Sequence, residues 1–531
     1  MSKLLGVRAS RPRNRTARAA KRARRPRSQW MAALTLLFFS GLGQAQEGAE
    51  PDPTDEDLYY RLVTYPVPDE LKLEASGVAA LPDGRLAVAI RKGEIWMLEN
   101  PLEESEKPKD FTWKRFASGL HEPIGLTWHD GALYTAQRSE VTRLEDSDGD
   151  GVADAYLTAA KGWGVTGNYH EYAFGPVFDK EGNLWMTLNQ SMGKGQEVAG
   201  DYKDDFRWRG WSMMKPAKGG KLRPMSAGLR SPHGIATNHL GDVFATDQQG
   251  NWWGTNPLIH LREGVFHGHA DSLRDVERPE SPVEDPGEIP KKGLTVAEAM
   301  SKVPGYVPPA VWFPYNKIGM STTAIRCDTT GGKFGPFENQ LFIGEFTESF
   351  VSRVFLEKVN GEYQGACFHF RKGLQCAVLS LDFLNDGSLV IGESNRGWNS
   401  LGTRSYGMQR LVWTGKVPFE IEKMEARPNG FRLTFTKPVE RESAKSLYSY
   451  EMSSYTWNYH QAYGSDEIDA KEVKITAAEV SKDGRTVELT CEGLRPGYCH
   501  ELNAQWVWSE EREPLLHPEA WYTLNAIPDR E

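Results

Sequence analysis

A two-strand unit recurs six times in the chain, and this repetition constrains the fold more than any single residue. Each copy has a strand-like apolar run, a turn, and a second apolar strand. The turns are Asp83-Gly84, Asp130-Gly131, Glu181-Gly182, Gly241-Asp242, Glu338-Asn339 and Asp386-Gly387. The second strands read LAVAI from Leu86, ALYTA from Ala132, NLWMTL from Asn183, DVFAT from Asp242, QLFIGE from Gln340 and SLVIG from Ser388. Successive turns lie 47, 51, 59, 98 and 48 residues apart. Acidic-Gly pairs supply the positive φ of tight hairpins, and the flanking residues are β-branched or aromatic. Self-similarity at this period predicts an all-β fold, a six-bladed β-propeller. No helix is expected between residues 60 and 415. The wide fourth gap, about residues 255–310, reads as a loop insertion, and MQRLVW from Met408 as a closing strand that pairs with the first blade.

In a propeller, residues just before each first strand and just after each second strand converge on one mouth of the central channel. Before the strands stand His121-Glu122-Pro123, Tyr169-His170-Glu171, Arg230-Ser231-Pro232-His233 and Gly319-Met320. After them stand Gln137-Arg138, Asn189-Gln190, Asp247-Gln248, Glu345 and Glu393. Such a lining suits a sugar or a polar cofactor. His170 there is either a general base, since imidazole titrates near working pH, or a hydrogen-bonding bystander. Arg230 either grips a carboxylate bidentately or pairs with a neighbouring acid. His267, His269 and Asp271 form a weaker metal-ligand candidate.

The first 29 residues hold 11 Lys or Arg and no acid, followed by an apolar stretch from Trp30 to Leu42 and by Gly43-Gln44-Ala45. That is the layout of a secretory signal over 1–45, cleaved near Ala45, and predicts a periplasmic or secreted protein. The apolar stretch is too short for a bilayer-spanning helix, so no membrane span is expected in the mature chain. Without the leader, 52 basic residues face 72 acidic ones, a net charge near −20, which disfavours nucleic acid as a partner. Residues 46–57 read as a flexible linker, 58–415 as the propeller and 418–528 as a small β-sandwich of immunoglobulin-like class. Within the last segment, FRLTF from Phe431, EVKITAAEV from Glu472 and TVELTC from Thr486 alternate apolar and polar residues. Its aromatic stretch from Tyr448 reads as a loop that either binds carbohydrate or packs on the propeller. Of five cysteines, Cys491 and Cys499 flank an expected hairpin, and no Cys-x-x-Cys-His site for covalent haem occurs.

Asp146, Asp148, Asp150 and Asp154, with Gly151 between, match the start of a calcium loop, although Leu157 stands where a bidentate Glu usually closes it.

Taken together, the runs NYHEYAFGPVFDKEGNLWMTLNQ from Asn168 and GLRSPHGIATNHLGDVFATDQQGN from Gly228 resemble the soluble quinoprotein glucose/sorbosone dehydrogenases. NPLIHLREGVFHGHAD from Asn256 and KIGMSTTAI from Lys317 continue the order. The full layout is similar to the exported "membrane-bound dehydrogenase-like" propeller proteins. The resemblance implies a sugar or polyol dehydrogenase holding pyrroloquinoline quinone and calcium, with His170 as general base. It places Arg230 on the quinone, with Gln190, Asp247 and Gln248 in the cofactor site, and a separate electron acceptor such as a cytochrome c. One departure stands out: where the family carries a pair of quinone-binding arginines, this chain reads LQCAVLSLDF from Leu374. Two other readings are a non-catalytic carbohydrate-binding or scaffolding propeller and a metal-dependent lactonase or lyase in the channel.

Overall fold

The computed structural model describes residue 52 and residues 54–165, 168, 170–191, 207–291, 293–395 and 398–529. The leader over 1–45 and most of the expected linker lie outside them. Six four-stranded antiparallel blades follow one another, five as separate sheets and the fifth blade as half of an eight-stranded sheet. Blade 1 holds Ala75–Ala80, Leu86–Ile90, Glu94–Leu98 and Trp113–Ala117; blade 2 holds Ile124–His129, Ala132–Ala136, Val141–Glu145 and Ala155–Ala160. Blade 3 holds Ala173–Phe178, Leu184–Leu188, Trp211–Lys215 and Arg223–Ala227; blade 4 holds Ile235–Thr237, Val243–Thr246, Asn256–Leu261 and Val311–Phe313. Blade 5 holds Thr322–Cys327, Leu341–Glu345, Phe350–Val359 and Glu362–Arg371. Blade 6 joins Val378–Phe383, Leu389–Ser394 and Tyr406–Trp413 to Tyr60–Thr64 from the start of the fold. The chain is therefore a six-bladed β-propeller, and every expected turn joins the first two strands of a blade.

The second strands are apolar throughout because neighbouring blades cover both their faces. Leu86–Ile90 and Ala132–Ala136 are buried at every position. A core between blades 6 and 1 gathers Leu86, Val88, Ile90, Val390 and Met408, and one between blades 5 and 6 gathers Phe342, Val351, Phe370, Val378 and Ile391. The first strands crowd the axis, where glycine is required. A Cβ on Gly125 (φ +83°) would lie 2.5 Å from the Gly175 carbonyl oxygen, and one on Gly234 would lie 1.9 Å from that of Thr323.

Closure differs from expectation. Tyr406–Trp413 pairs with Tyr60–Thr64, and this N-terminal strand becomes the outer strand of blade 6 rather than part of the first blade. The pairing removes a free edge. The insertion also carries one helix, Val296–Lys302, contrary to the all-strand expectation. Thr295 and Glu298 start it with a reciprocal capping box.

After residue 418 two four-stranded sheets face each other. One holds Ile421–Arg427, Gly430–Phe435, Thr486–Glu492 and Lys474–Val480; the other holds Glu519–Leu524, Tyr498–Asn503, Glu451–Thr456 and Ile468–Glu472. Met424, Phe431, Leu433, Val487 and Leu489 of the first meet Met452, Leu502, Tyr522 and Leu524 of the second. The second sheet continues blade 5, because Gly365, Ala366 and Cys367 pair with Thr523, Tyr522 and Trp521. Blade 5 permits this because its last two strands run ten residues each. Cys491 and Cys499 do not flank a hairpin: their strands belong to opposite sheets, and all five cysteines are buried as free thiols. The aromatic stretch from Tyr448 is not a loop either. It forms the strands Glu451–Thr456 and Asn458–Tyr459 and buries Tyr455, Trp457 and Tyr459.

The end of the expected linker is folded. Glu56 and Asp57 bind Arg371, and Glu56 also pairs with His517. No helix among the described residues is long and apolar enough to cross a membrane.

Candidate functional site

Five blades close their mouth ends with the same latch. A polar side chain at the end of the second strand, or just after it, accepts backbone N–H bonds from the segment leading into the first strand. Gln137 accepts from His121 at 2.5 Å and Asn189 from Tyr172 at 3.4 Å. Asp247 accepts from Arg230 and Ser231, both at 2.6 Å, and from Gln248 at 2.7 Å. Glu345 accepts from Met320 and Ser321 at 3.1 and 2.5 Å, and Glu393 from Cys376 at 3.4 Å. The latches satisfy backbone donors that the converging loops would otherwise bury unpaired. The expected cofactor residue Asp247 thus also braces its own blade, with Oδ1 accepting two backbone bonds and Oδ2 one. Gln190 is tied in likewise, its N–H donating to the Arg230 carbonyl at 2.8 Å.

Burial dominates the acid latches. It pushes Asp247 up to about 6, Glu345 to about 7 and Glu393 to about 8, against the lowering effect of the hydrogen bonds each accepts. Glu393 therefore holds a proton in the fold that the unfolded chain releases above about 4.5. The stability this confers is complete below that value and is lost as pH rises through about 8, at about 1.4 kcal/mol per pH unit. Glu393→Gln keeps an acceptor for Cys376 and cannot ionise. Urea unfolding from about pH 5 to pH 9 should show the wild type losing stability relative to this variant; parallel curves would rule out the protonated latch.

The blade 3 lead-in carries His170, half-buried, with its N–H on Asn168 Oδ1 at 3.0 Å. Two buried arginines brace this loop. Arg138 donates to the Asn168 carbonyl and lies 5.0 Å over the Tyr172 ring, while Arg209 donates to the Tyr172 carbonyl at 2.9 Å. Burial lowers Arg209 to about 10, with the buried Glu171 opposing the shift. Arg209 lies outside the repeated unit, so its place beside His170 was not legible from the turns. Trp398, from the loop between the second and third strands of blade 6, stands 5.6 Å from the His170 ring. Blades 3 and 6 face each other across a six-bladed ring, so this loop reaches over the channel mouth.

Arg230 stands beside His170 in the next blade, the two lead-ins joined by Asn189, whose Nδ2 donates to Ser231 Oγ at 2.8 Å. Its guanidinium lies against Gly250, where a Cβ would fall 1.9 Å from Arg230 Nε. The same Nε is buried without a partner, which suits an anionic or strongly polar ligand. The Tyr463 ring lies 5.3 Å from the guanidinium carbon. The Gly250 carbonyl accepts from the Gly464 N–H at 2.9 Å.

The aspartate loop lies away from this site. It joins the third and fourth strands of blade 2 on the face of the hairpin turns. Ligand oxygens of Asp146, Asp148 and Asp150 fall within 4.8 Å of one another, the one such group among the described residues. Asp154 is not in the group, since its carboxylate accepts from the N–H and hydroxyl of Ser147 at 3.1 and 2.5 Å. His267 and His269 do not meet Asp271 as a metal-ligand group among the described residues; both rings are buried, and burial takes each down to about 3.

A family model for a domain of unknown function (DUF7133) matches residues 111–372. No curated protein matches the sequence. Solved structures similar to the chain include a glucose dehydrogenase-type oxidoreductase of Thermus thermophilus, at 17% identity and a TM-score of 0.46 over 66% of this chain and 100% of that one. Another is the PQQ domain of pyranose dehydrogenase from Coprinopsis cinerea, at 11% identity and 0.45 over 66% and 97%. A third is PQQ-bound aldose sugar dehydrogenase from Streptomyces coelicolor, at 16% and 0.44 over 66% and 96%.

Proposed function

We propose that the chain is an exported, quinone-dependent dehydrogenase of a sugar or polyol, with the propeller mouth as its active site. The observation that carries this reading is the pairing, on adjacent braced loops, of an imidazole at the mouth and a guanidinium with an unpartnered buried nitrogen. Pyrroloquinoline quinone, when bound, supplies a two-electron hydride acceptor. Arg230, beside Gly250 and Tyr463, would hold its anionic groups. On the blade 6 side, where the resemblance would place two arginines, Gln375 and the proton-holding Glu393 stand instead. One guanidinium therefore carries most of the cofactor affinity. His170 takes the substrate hydroxyl proton on a ring nitrogen as the carbinol hydrogen leaves as hydride, which balances the oxidation to a carbonyl. Reoxidation would fall to a separate acceptor such as a cytochrome c, in two one-electron transfers.

Quinone binding, followed by its absorbance or by quenching of tryptophan fluorescence, tests the cofactor role. Arg230→Ala should weaken it by about tenfold or more, as loss of a charge-assisted contact requires. Equal affinity in variant and wild type would remove Arg230 from the site.

Calcium belongs in this reading as a structural clamp at Asp146, Asp148 and Asp150, which hold like charges together on an exposed turn. Calcium should raise the melting temperature of the wild type over that in chelator, and Asp148→Ala with Asp150→Ala should abolish the difference. Indistinguishable melting curves would make the loop an ordinary solvated turn.

A second reading, a carbohydrate-binding propeller without chemistry, is favoured by the exposed aromatics at the mouth. It is separated from the first by whether bound sugar is oxidised.

A further inference from the structure

We infer that the C-terminal two-sheet unit completes the propeller's ligand site, its arm Trp457–Ser465 supplying Tyr463 as a stacking wall for a sugar ring. This inference rests on the sugar reading of the mouth above and adds the residue that selects ring substrates.

The arm is built into blade 4 along its length. Trp457 packs 5.4 Å from Trp312, and Gly254 must lack a side chain because a Cβ would fall 2.4 Å from that of Trp457. Asn458 and Tyr459 pair with Thr295 and Leu294 of the insertion. The Trp252 N–H donates to the His460 carbonyl at 2.8 Å, that of Gly464 to Gly250 at 2.9 Å, and that of Ser465 to Gly254 at 3.1 Å. Asn251 and Tyr463 form an antiparallel bridge. At the root, Lys317 of the propeller meets Glu467 and Glu501 at 3.0 and 2.6 Å.

At the tip of the arm, Gln461, Ala462 and Tyr463 face solvent, and Tyr463 is the one aromatic among them. Tyr459 and Trp457 are buried, whereas Tyr463 is 68% exposed while its ring stays over Arg230. An aromatic ring held by a rigid arm, with one face towards a guanidinium and most of its surface uncovered, has given up conformational freedom for little burial. That is the arrangement of a binding platform, since ordering has already been met before a ligand arrives. Its surroundings fit a polyhydroxylated ring. Tyr315 lies near it, its hydroxyl raised by burial and then by Tyr463, Glu345 and Glu348, while Trp398, 59% exposed, stands over the neighbouring lead-in at His170. An apolar ring face would lie on Tyr463 or Trp398, with its hydroxyls towards the charged groups. Neither aromatic was legible as a site residue in sequence, because one lies outside the propeller and the other in a loop with no motif.

The test uses the full chain without quinone, so that binding is read apart from catalysis. Calorimetry with D-glucose, maltose and glycerol should show Tyr463→Ala weakening both ring sugars by about five- to tenfold, with glycerol unaffected because it has no ring to stack. Tyr463→Phe should stay within about twofold, and both variants should melt with the wild type because the side chain is exposed. Ring-sugar affinity equal in Tyr463→Ala and wild type would overturn the inference while leaving the oxidation reading intact. A wild type that binds no ring sugar would overturn it too. Binding that depends on Tyr463, without any dye reduction on adding quinone, would support the inference and defeat the oxidation reading.

Discussion

Replacing His517 by alanine is expected to destabilise the protein by about 3–5 kcal/mol, the range for removing one partner of a buried ion pair. His517 lies between two carboxylates, with Nδ1 2.6 Å from Glu420 and Nε2 3.0 Å from Glu56. Burial pushes the imidazole down, but Glu420 and Glu56 outweigh it and hold it at about 9. Glu56, raised by its own burial, is brought to about 2 chiefly by His517, with help from Lys372 and Arg371. Glu420 also lies 3.6 Å from the fully buried Arg353, whose guanidinium is held between the rings of Phe337 and Phe368. One network thus ties the N-terminal segment, blade 5 and the C-terminal unit together. Alanine would remove the cation between buried Glu420 and half-buried Glu56, leaving Glu420 with Arg353 at 3.6 Å and Glu56 with Arg371.

The pH dependence follows from the signs. Because His517 sits above its ordinary 6.5, its contribution is complete below that value and is lost as pH rises through about 9. Because Glu56 sits below its ordinary 4.5, its contribution is complete above that value and is lost as pH falls through about 2. The gap between wild type and His517→Ala in urea unfolding should therefore be widest from about pH 4.5 to 6.5 and should narrow towards pH 9. A loss under about 1 kcal/mol, or one indifferent to pH, would mean that the network is not charged as described.

His170→Gln is expected to lower turnover by about 10²–10⁴-fold, the usual contribution of a general base. Glutamine keeps much of the volume and some hydrogen bonding, and the backbone bond to Asn168 does not depend on the side chain. It cannot accept the hydroxyl proton. Quinone affinity should stay within about twofold of wild type, since Arg230 carries that contact. Turnover within about twofold would make His170 a structural residue. A deep loss of both turnover and quinone affinity would mean that the blade 3 loop had moved.

Turn chemistry made the propeller legible. An acidic-Gly pair and a strand buried on both faces are imposed locally, blade after blade, and each second strand appears where its apolar run lies. The convergence of His170, Arg230 and the latch residues followed from that topology. What escaped were contacts whose cause lies far away in sequence. That Asp247 latches its own blade through three backbone donors has no mark in the local sequence. Tyr60–Thr64 carries no mark of belonging to blade 6, because only ring closure supplies its partner. The extra length of Phe350–Val359 and Glu362–Arg371 was the one sequence trace of the sheet that continues into the C-terminal unit. Tyr448 to Gly464 reads as a loop because its alternating aromatics, such as Trp457 and Tyr459, find their partners Trp312, Trp252 and Tyr306 only in another part of the chain.

The most direct test of the central claim is dye reduction by the full chain, supplied with calcium and pyrroloquinoline quinone, across a panel of ring sugars and polyols. Reduction is predicted to require both quinone and a sugar or polyol, to fall by about 10²–10⁴-fold in His170→Gln, and to need more quinone in Arg230→Ala. No reduction with any sugar in the panel, despite bound quinone, would contradict the claim that the propeller mouth is a sugar-oxidising site.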